Sequence, residues 1–215
     1  MKGNKDYWNN IYKEKSNNKI VYGLWLDKYE DIISKYKDEP VLDMGCGTGN
    51  NLLYLTERGF KDIYACDYSE EALKIVRNNF KDVKLLEHDI TKRLPYKDGS
   101  MNLVIADLSL HYFKKRKTIE IIKEIKRILK ADGYLIGRVN SMNDTNYGAS
   151  QGEEIEKHYY LTKDGYKRFL MKKILDISLK TLILNAAVKK VCLDMALRRK
   201  LLNSVFSFIY KFKEN

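Results

Sequence analysis

The sequence predicts an α/β domain in which a mostly parallel sheet carries helices on both faces. Three observations predict it. Between Val41 and Val139, short apolar runs alternate with amphipathic stretches of helical period, and alternation at this spacing gives parallel strands joined by right-handed crossovers. Four strand-like runs end at or beside an acid: Asp43, Asp67, Asp89 and Asp107. The first run also opens into a glycine loop, Gly45-Cys46-Gly47-Thr48-Gly49.

The elements follow in order. Pro40 to Met44 is a short apolar run that reads as a buried strand. Asn50 to Arg58 carries Leu52, Leu53 and Leu55 between polar ends, and Gly59 is a fitting helix stop. Asp62 to Cys66 is a second strand. Ser69 suits the N-cap of a helix through Asn79, because its hydroxyl can accept an orphan backbone N–H. Glu70 and Glu71 favour the positive end of that helix dipole.

Val83 to Glu87 and Met101 to Ala106 are the third and fourth strands. Thr118 to Lys130 holds a helical stripe of apolar residues opposite Lys and Arg, and Gly133 to Val139 is a fifth strand. Beyond a polar segment, Thr162 to Lys172 reads as a helix. Ile174–Leu184 and Val188–Arg198 read as strands joined by a short turn, and Leu201–Phe212 as a closing helix. A turn between two strands makes an antiparallel hairpin at one sheet edge.

In open sheets of this kind, ligands bind beyond the carboxyl ends of the strands. That rule places Asp43–Gly49, Asp67, Asp89 and Asp107–Phe113 on one rim. The glycine loop departs from a dinucleotide loop, since its third glycine falls one place early, and it lacks the Lys-Ser/Thr ending of a phosphate loop. Asp43, two residues before Gly45, would repel a pyrophosphate but could hold an ammonium group. Asp67 lies where an acid accepts both hydroxyls of an adenosine ribose, and Tyr68 follows it. Asp89 is placed to take an adenine amino group while Ile90 packs on the ring.

These residues resemble the class I S-adenosylmethionine (SAM)-dependent methyltransferase family. VLDMGCGTGNNLLYL is similar to its first motif, DIYACDYSEEALKIVRNN to its second, and LPYKDGSMNLVIADLSLHYF to the segment around its fourth strand. EIKRILKADGYLIG resembles the helix and fifth strand that follow, with Ala131-Asp132 where the family usually has Pro-Gly. The resemblance runs from Val41 to Val139. It implies a Rossmann-like seven-stranded sheet, order 3-2-1-4-5-7-6 with the last strand antiparallel, and a member of the small-molecule branch. It further implies SAM as cofactor and S-adenosylhomocysteine (SAH) as product, held by Asp43, Gly45, Cys46, Gly47, Gly49, Asp67, Tyr68, Asp89 and Ile90. Asp107 and Leu108 would add backbone contacts to the adenosine.

The expected organisation is one domain, residues 1–215. It divides into an N-terminal helical lid (1–39), a cofactor-binding core (40–140), a substrate cap (141–172) and a C-terminal hairpin and helix (173–215). Tyr7, Trp8 and Tyr12 form an aromatic cluster whose faces suit a sulfonium. His111 is the candidate general base, since imidazole titrates near pH ~6.5. The tyrosines after His158 belong to the cap.

The expected activity is methyl transfer by in-line displacement, chiefly to a small-molecule acceptor. RNA methylation and a SAM-binding scaffold without turnover are the alternatives. Net charge is +11, but the surplus sits in 111–130 and the C-terminal third, whereas 41–110 and 131–160 carry more acids than bases. A phosphate backbone reaching the rim would meet Glu153, Glu154 and Glu156. Adenine amino-methylating enzymes resemble one another in an Asn/Asp-Pro-Pro-aromatic run, and Ala106-Asp107-Leu108-Ser109 has no proline. Cys46, Cys66 and Cys192 form an odd set without CxxC spacing, so neither a disulfide framework nor a metal site is expected. No stretch has the length of a signal peptide core or membrane span, which makes the cytoplasm the expected compartment.

Overall fold

The computed structural model describes residues 5–15, 18–144, 148–163, 165–169 and 205–212. Its central sheet contains β1 (Val41–Met44), β2 (Ile63–Asp67), β3 (Lys84–Glu87), β4 (Met101–Asp107), β5 (Leu129–Asn140) and β9 (Val205–Lys211). Their order is β3-β2-β1-β4-β5-β9. The first five strands are parallel, and β9 runs antiparallel to β5. This is the expected Rossmann-like class. The strands expected at 174–184 and 188–198 lie outside the described residues.

Each central strand buries both faces, so alternate side chains enter two different cores. Val41, Leu103, Ile105 and Ile136 pack with Leu52 and Leu55 of α3 (Asn50–Glu57) and with Leu73 and Val76 of α4 (Glu70–Asn79). Leu42, Met44, Val104 and Leu135 pack with Ile121, Ile122, Ile125 and Ile128 of α5 (Lys115–Ile128). Opposite faces are what right-handed crossovers demand when the sheet grows first one way and then the other from β1. Ser69 caps α4, its hydroxyl accepting from Ala72 N–H at 3.2 Å.

Three expectations are corrected. Thr162–Lys172 does not begin a helix: β8 (Gly165–Arg168) pairs antiparallel with β7 (Tyr159–Thr162), which pairs with β6 (Glu153–Glu156). Gly165, at φ 111°, completes a tight hairpin, and Tyr159, Tyr160 and Tyr166 favour strands. The C-terminal segment is strand β9 rather than a helix. Phe208, Tyr210 and Phe212 enter one core and Ile209 the other, a period of two that a strand buried on both faces hides behind a continuous apolar run. Finally, α5 starts three residues before Thr118, because Glu156 of β6 caps the backbone N–H of Lys115 at 2.7 Å. That cap comes from a distant segment.

Between α5 and the main run of β5 the chain bends at Asp132, whose φ is 63°. Asp132 thus adopts the left-handed conformation that the glycine of a Pro-Gly pair would take without cost. Its backbone N–H donates to Phe212 O and its carboxylate pairs with Lys211, which fixes the bend to β9.

The N-terminal residues divide into two parts. α1 (Lys5–Glu14) lies against α4, with Asn9 Oδ1 accepting from the Ser69 hydroxyl at 2.7 Å. Leu26, Tyr29 and Ile33, in and beside α2 (Glu30–Ile33), join the core under α3. Arg58 holds that segment in place: it pairs with Asp27 and Glu30 and stacks over Tyr54 at 3.6 Å. Among the described N-terminal residues, those of α1 reach the rim.

Candidate active site

A cavity of about 450 Å³ opens beyond the carboxyl ends of β1, β2 and β4, within the size range of small-ligand sites. Gly45 of the glycine loop lines it. Gly45, at φ 76°, carries no Cβ because one would stand 2.7 Å from the Ser109 Cβ. Its N–H and that of Cys46 both donate to Cys66 O, which seats the loop on the end of β2. At Gly47, a Cβ would approach the Tyr12 hydroxyl to 2.9 Å. Gly49 opens α3 at φ 91° with Phe80 close above it.

The strand-end acids have distinct environments. Asp43 is fully buried; its Oδ1 accepts from Asn51 Nδ2 at 3.2 Å, while Oδ2 has no partner among the described residues. Burial pushes its carboxyl up to about 8. Such an orphaned acid is stabilised by a cation or donor brought by a ligand. Asp67 accepts from Gly47 N–H and Ser69 N–H, each at 2.8 Å. Burial raises its carboxyl and these backbone donors oppose the rise. Two oxygens offer about four lone-pair sites, so capacity remains for two hydroxyl donors.

Asp89 Oδ1 accepts from Thr91 N–H and the Thr91 hydroxyl, which makes a turn and leaves Oδ2 for another donor. Asp107 is taken up by Arg138 on β5, with bonds of 2.6 and 2.8 Å. Leu108 follows it at φ 51°, a conformation that costs a non-glycine residue. Its N–H donates to Arg138 O.

The walls are aromatic. Trp8 meets Tyr112 edge-to-face at 5.1 Å and stacks on Tyr12 at 5.9 Å. Burial and the nearby Asp67 charge raise the Tyr12 phenol. The cap contributes Gly165 and Tyr166, and it is tied down by the Tyr159 hydroxyl, which donates to Tyr112 O at 3.0 Å.

Tyr7, Trp8, Tyr12, Gly45, Asp67, Tyr68, Asp89, Ile90, Asp107 and Leu108 therefore line one cavity, as the sequence reading grouped them. Asp43, Cys46, Gly47 and Gly49 do not line it, and Cys46 belongs to the core that holds Leu52. His111 needs correction as a base. It is buried, does not line the cavity, and its Nδ1 lacks a partner among the described residues. Burial and the Lys167 charge push its imidazole down to about 3, too low for a base at neutral pH. Ser109, Tyr112 and Phe113, on the rim expected at Asp107–Phe113, also line the cavity, as do three residues not expected there: Thr91, Gly165 and Tyr166. The last two were hidden by the mistaken helix. Ser109, Tyr112 and Phe113 lie just past the fourth strand, where position alone marks them as rim residues. No group of three or more metal-ligating side chains occurs among the described residues.

Comparison with known proteins identifies a domain family for part of the chain. Residues 42–137 match the methyltransferase domain family. Over 107 residues the chain is 32% identical to the mouse protein named "Probable tRNA methyltransferase 9B", covering 49% of this chain and 23% of that one. Over 97 residues it is 33% identical to human arginine-hydroxylase NDUFAF5, covering 45% and 27%. The matched segment thus spans about a quarter of either relative. A methyltransferase of Burkholderia thailandensis, solved with 1,6-didemethyltoxoflavin and SAH, shares the fold at TM-score 0.68 and 15% identity, covering 98% of this chain and 87% of that one.

Proposed function

We propose that this chain, built around a class I methyltransferase domain at residues 42–137, binds SAM and moves its methyl group to a small-molecule acceptor. The observation that carries the reading is the cavity at the strand ends, where Gly45, Asp67 and Asp89 line the same space, with the orphaned Asp43 buried two residues before Gly45. When bound, SAM supplies an electrophilic methyl on a sulfonium that an acceptor takes by in-line displacement.

The chain's own residues bind and align. Asp43, through its unpartnered Oδ2, would hold the ammonium end over the Gly45–Gly49 loop. Asp67 would accept the ribose hydroxyls, and Tyr68 would flank them. Asp89 would take the adenine amino group with Ile90 against the ring, and the backbone of Asp107 and Leu108 would close that side. Tyr7, Trp8 and Tyr12 would cover the sulfonium and exclude water. Alignment of this kind is worth up to ~7–11 kcal/mol in favourable cases, and no residue here is assigned as a base.

A small acceptor is favoured over nucleic acid by charge placement. Three carboxylates line the cavity, and several cations of α5 are already paired: Arg116 and Lys117 with Glu120, and Arg127 with Glu124 and Asp98. Two assays test the proposal together: SAM calorimetry, and transfer of labelled methyl to either the low-molecular-mass fraction of a cell extract or total tRNA. The expected label is on a small molecule. Label on tRNA, with binding that falls steeply with salt, would establish an RNA enzyme, and SAM binding with no turnover would indicate a scaffold.

A further inference from the structure

We propose that the acceptor end of the cavity receives a flat, uncharged aromatic ring, gripped by aromatic faces and oriented by the Ser109 hydroxyl. This rests on the methyl-transfer reading and deepens it by naming the acceptor class.

The sheet order β3-β2-β1-β4 lays the cavity out from end to end. Asp89 and Asp67 mark the β3 and β2 side, whereas Ser109, Tyr112 and Phe113 leave β4, and Tyr166 comes from the cap. The second end is where an acceptor meets the walls.

With α1 closed, its rings hold one another in place. Trp8 and Tyr112 lie at 75° to one another with centroids 5.1 Å apart. Tyr166 stacks on Tyr159 at 5.7 Å and 13°, and the Tyr159 hydroxyl bonds the Tyr112 carbonyl. The two walls are therefore coupled. Fixed ring faces select flat ligands, since offset stacking and edge contacts reward a plane and not a puckered ring.

Ser109 supplies the polar contact. It is 8% exposed, lines the cavity, and its Oγ has no partner among the described residues. Packing of its Cβ against Gly45 fixes its position. A buried hydroxyl in this state gains a bond from a ligand edge, and as donor and acceptor it suits a neutral carbonyl or ring nitrogen.

Charge completes the argument. Asp67 and Asp89 line the same space and disfavour an anionic acceptor, Asp107 being paired with Arg138, while a bound sulfonium repels a cationic one. An uncharged ring satisfies both.

The test uses the full chain saturated with SAH and matched probes: quinoline against quinoline-4-carboxylate, and phenol against cyclohexanol. Binding is read by saturation-transfer NMR and calorimetry, in the parent and in Tyr166→Leu and Ser109→Ala. The neutral aromatic member of each pair should bind at least tenfold tighter than its partner. Each substitution should weaken that binding about fivefold or more, with SAH affinity held within twofold. Equal or tighter binding of quinoline-4-carboxylate or cyclohexanol overturns the proposal, as does aromatic affinity unchanged in Tyr166→Leu or no probe binding to the SAH complex. Failure to bind SAH at all overturns the methyl-transfer reading, and this inference with it. SAH binding with the wrong probe preference overturns the inference alone.

Discussion

Asp107 and Arg138 form a two-pronged ion pair across β4 and β5, Nε to Oδ1 at 2.6 Å and Nη2 to Oδ2 at 2.8 Å. The guanidinium also lies 4.8 Å from the Trp25 ring. Trp25 Nε1 donates to Asn51 Oδ1, and Asn51 donates in turn to Asp43. Two acids on neighbouring strands are thus joined through one short chain of contacts. Arg138 offsets a charge that would otherwise push the Asp43 carboxyl higher, since Asp107 acts on it in that direction.

Arg138→Met should therefore destabilise the protein and weaken SAM binding together. The expected loss is roughly 2–3 kcal/mol, below the ~3–5 of a fully buried broken pair, because the Arg138 side chain is 28% exposed. Denaturant unfolding checks this. The double variant with Asp107→Asn should recover much of the loss, and no recovery would mean that Arg138 acts through Trp25 packing.

Asp67 carries two loads, because it anchors Gly47 N–H and Ser69 N–H as well as facing the cavity. Asp67→Ala should cost SAH about 1–3 kcal/mol of binding and also lower stability by a similar amount, by orphaning two buried donors. Calorimetry and thermal unfolding separate these effects. Unchanged SAH affinity in a folded variant would remove Asp67 from the ribose assignment.

How far the sequence could be read follows from where each constraint originates. From Val41 to Val139 the constraints are local: Ser69 caps its own helix, and helices of clear period follow β1, β2 and β4. Strand-end geometry then delivered Asp67, Asp89 and Asp107 to one cavity. Beyond Asn140 the constraints are tertiary. β9 is a strand because β5 offers it an edge, and β8 because β7 does, neither of which a local pattern records. His111 shows the same limit in the site. Its residue type suggested a base, whereas burial, which is set by the whole fold, decides its charge.

The Asp43 carboxyl makes stability depend on pH. Its ordinary value is 3.8 and burial raises it to about 8 in the folded chain, so between these values the folded state retains a proton that the unfolded state has released. Stability without ligand should then fall as pH rises from about 4 to about 8, by at most ~1.4 kcal/mol per pH unit. Asp43→Asn should flatten that slope. A ligand ammonium favours the charged carboxylate, so the stabilisation conferred by SAH should grow across the same interval. Denaturation curves with and without SAH measure both, and a slope identical in Asp43→Asn would assign the dependence to another group.

The α1 helix should behave as a lid whose order depends on ligand. It is 10 residues long with none of its residues fully buried, and helices this short are marginal without packing. Its polar attachments include Asn9, which accepts from the Ser69 hydroxyl, and Lys5, which pairs with Glu87. Its apolar contribution is the aromatic row Tyr7, Trp8 and Tyr12, which faces the cavity. A ligand there gives those rings a surface to cover, so opening of α1 should become more costly when SAM or SAH is bound. Hydrogen exchange should slow over Tyr7–Tyr12 on adding SAH, while Ile75 and Val76 in the buried face of α4 change little. Asn9→Ala should speed exchange of α1 without ligand by removing its anchor on α4. Equal protection of Tyr7–Tyr12 with and without SAH would make α1 a permanently packed helix and remove the aromatic row from cofactor closure.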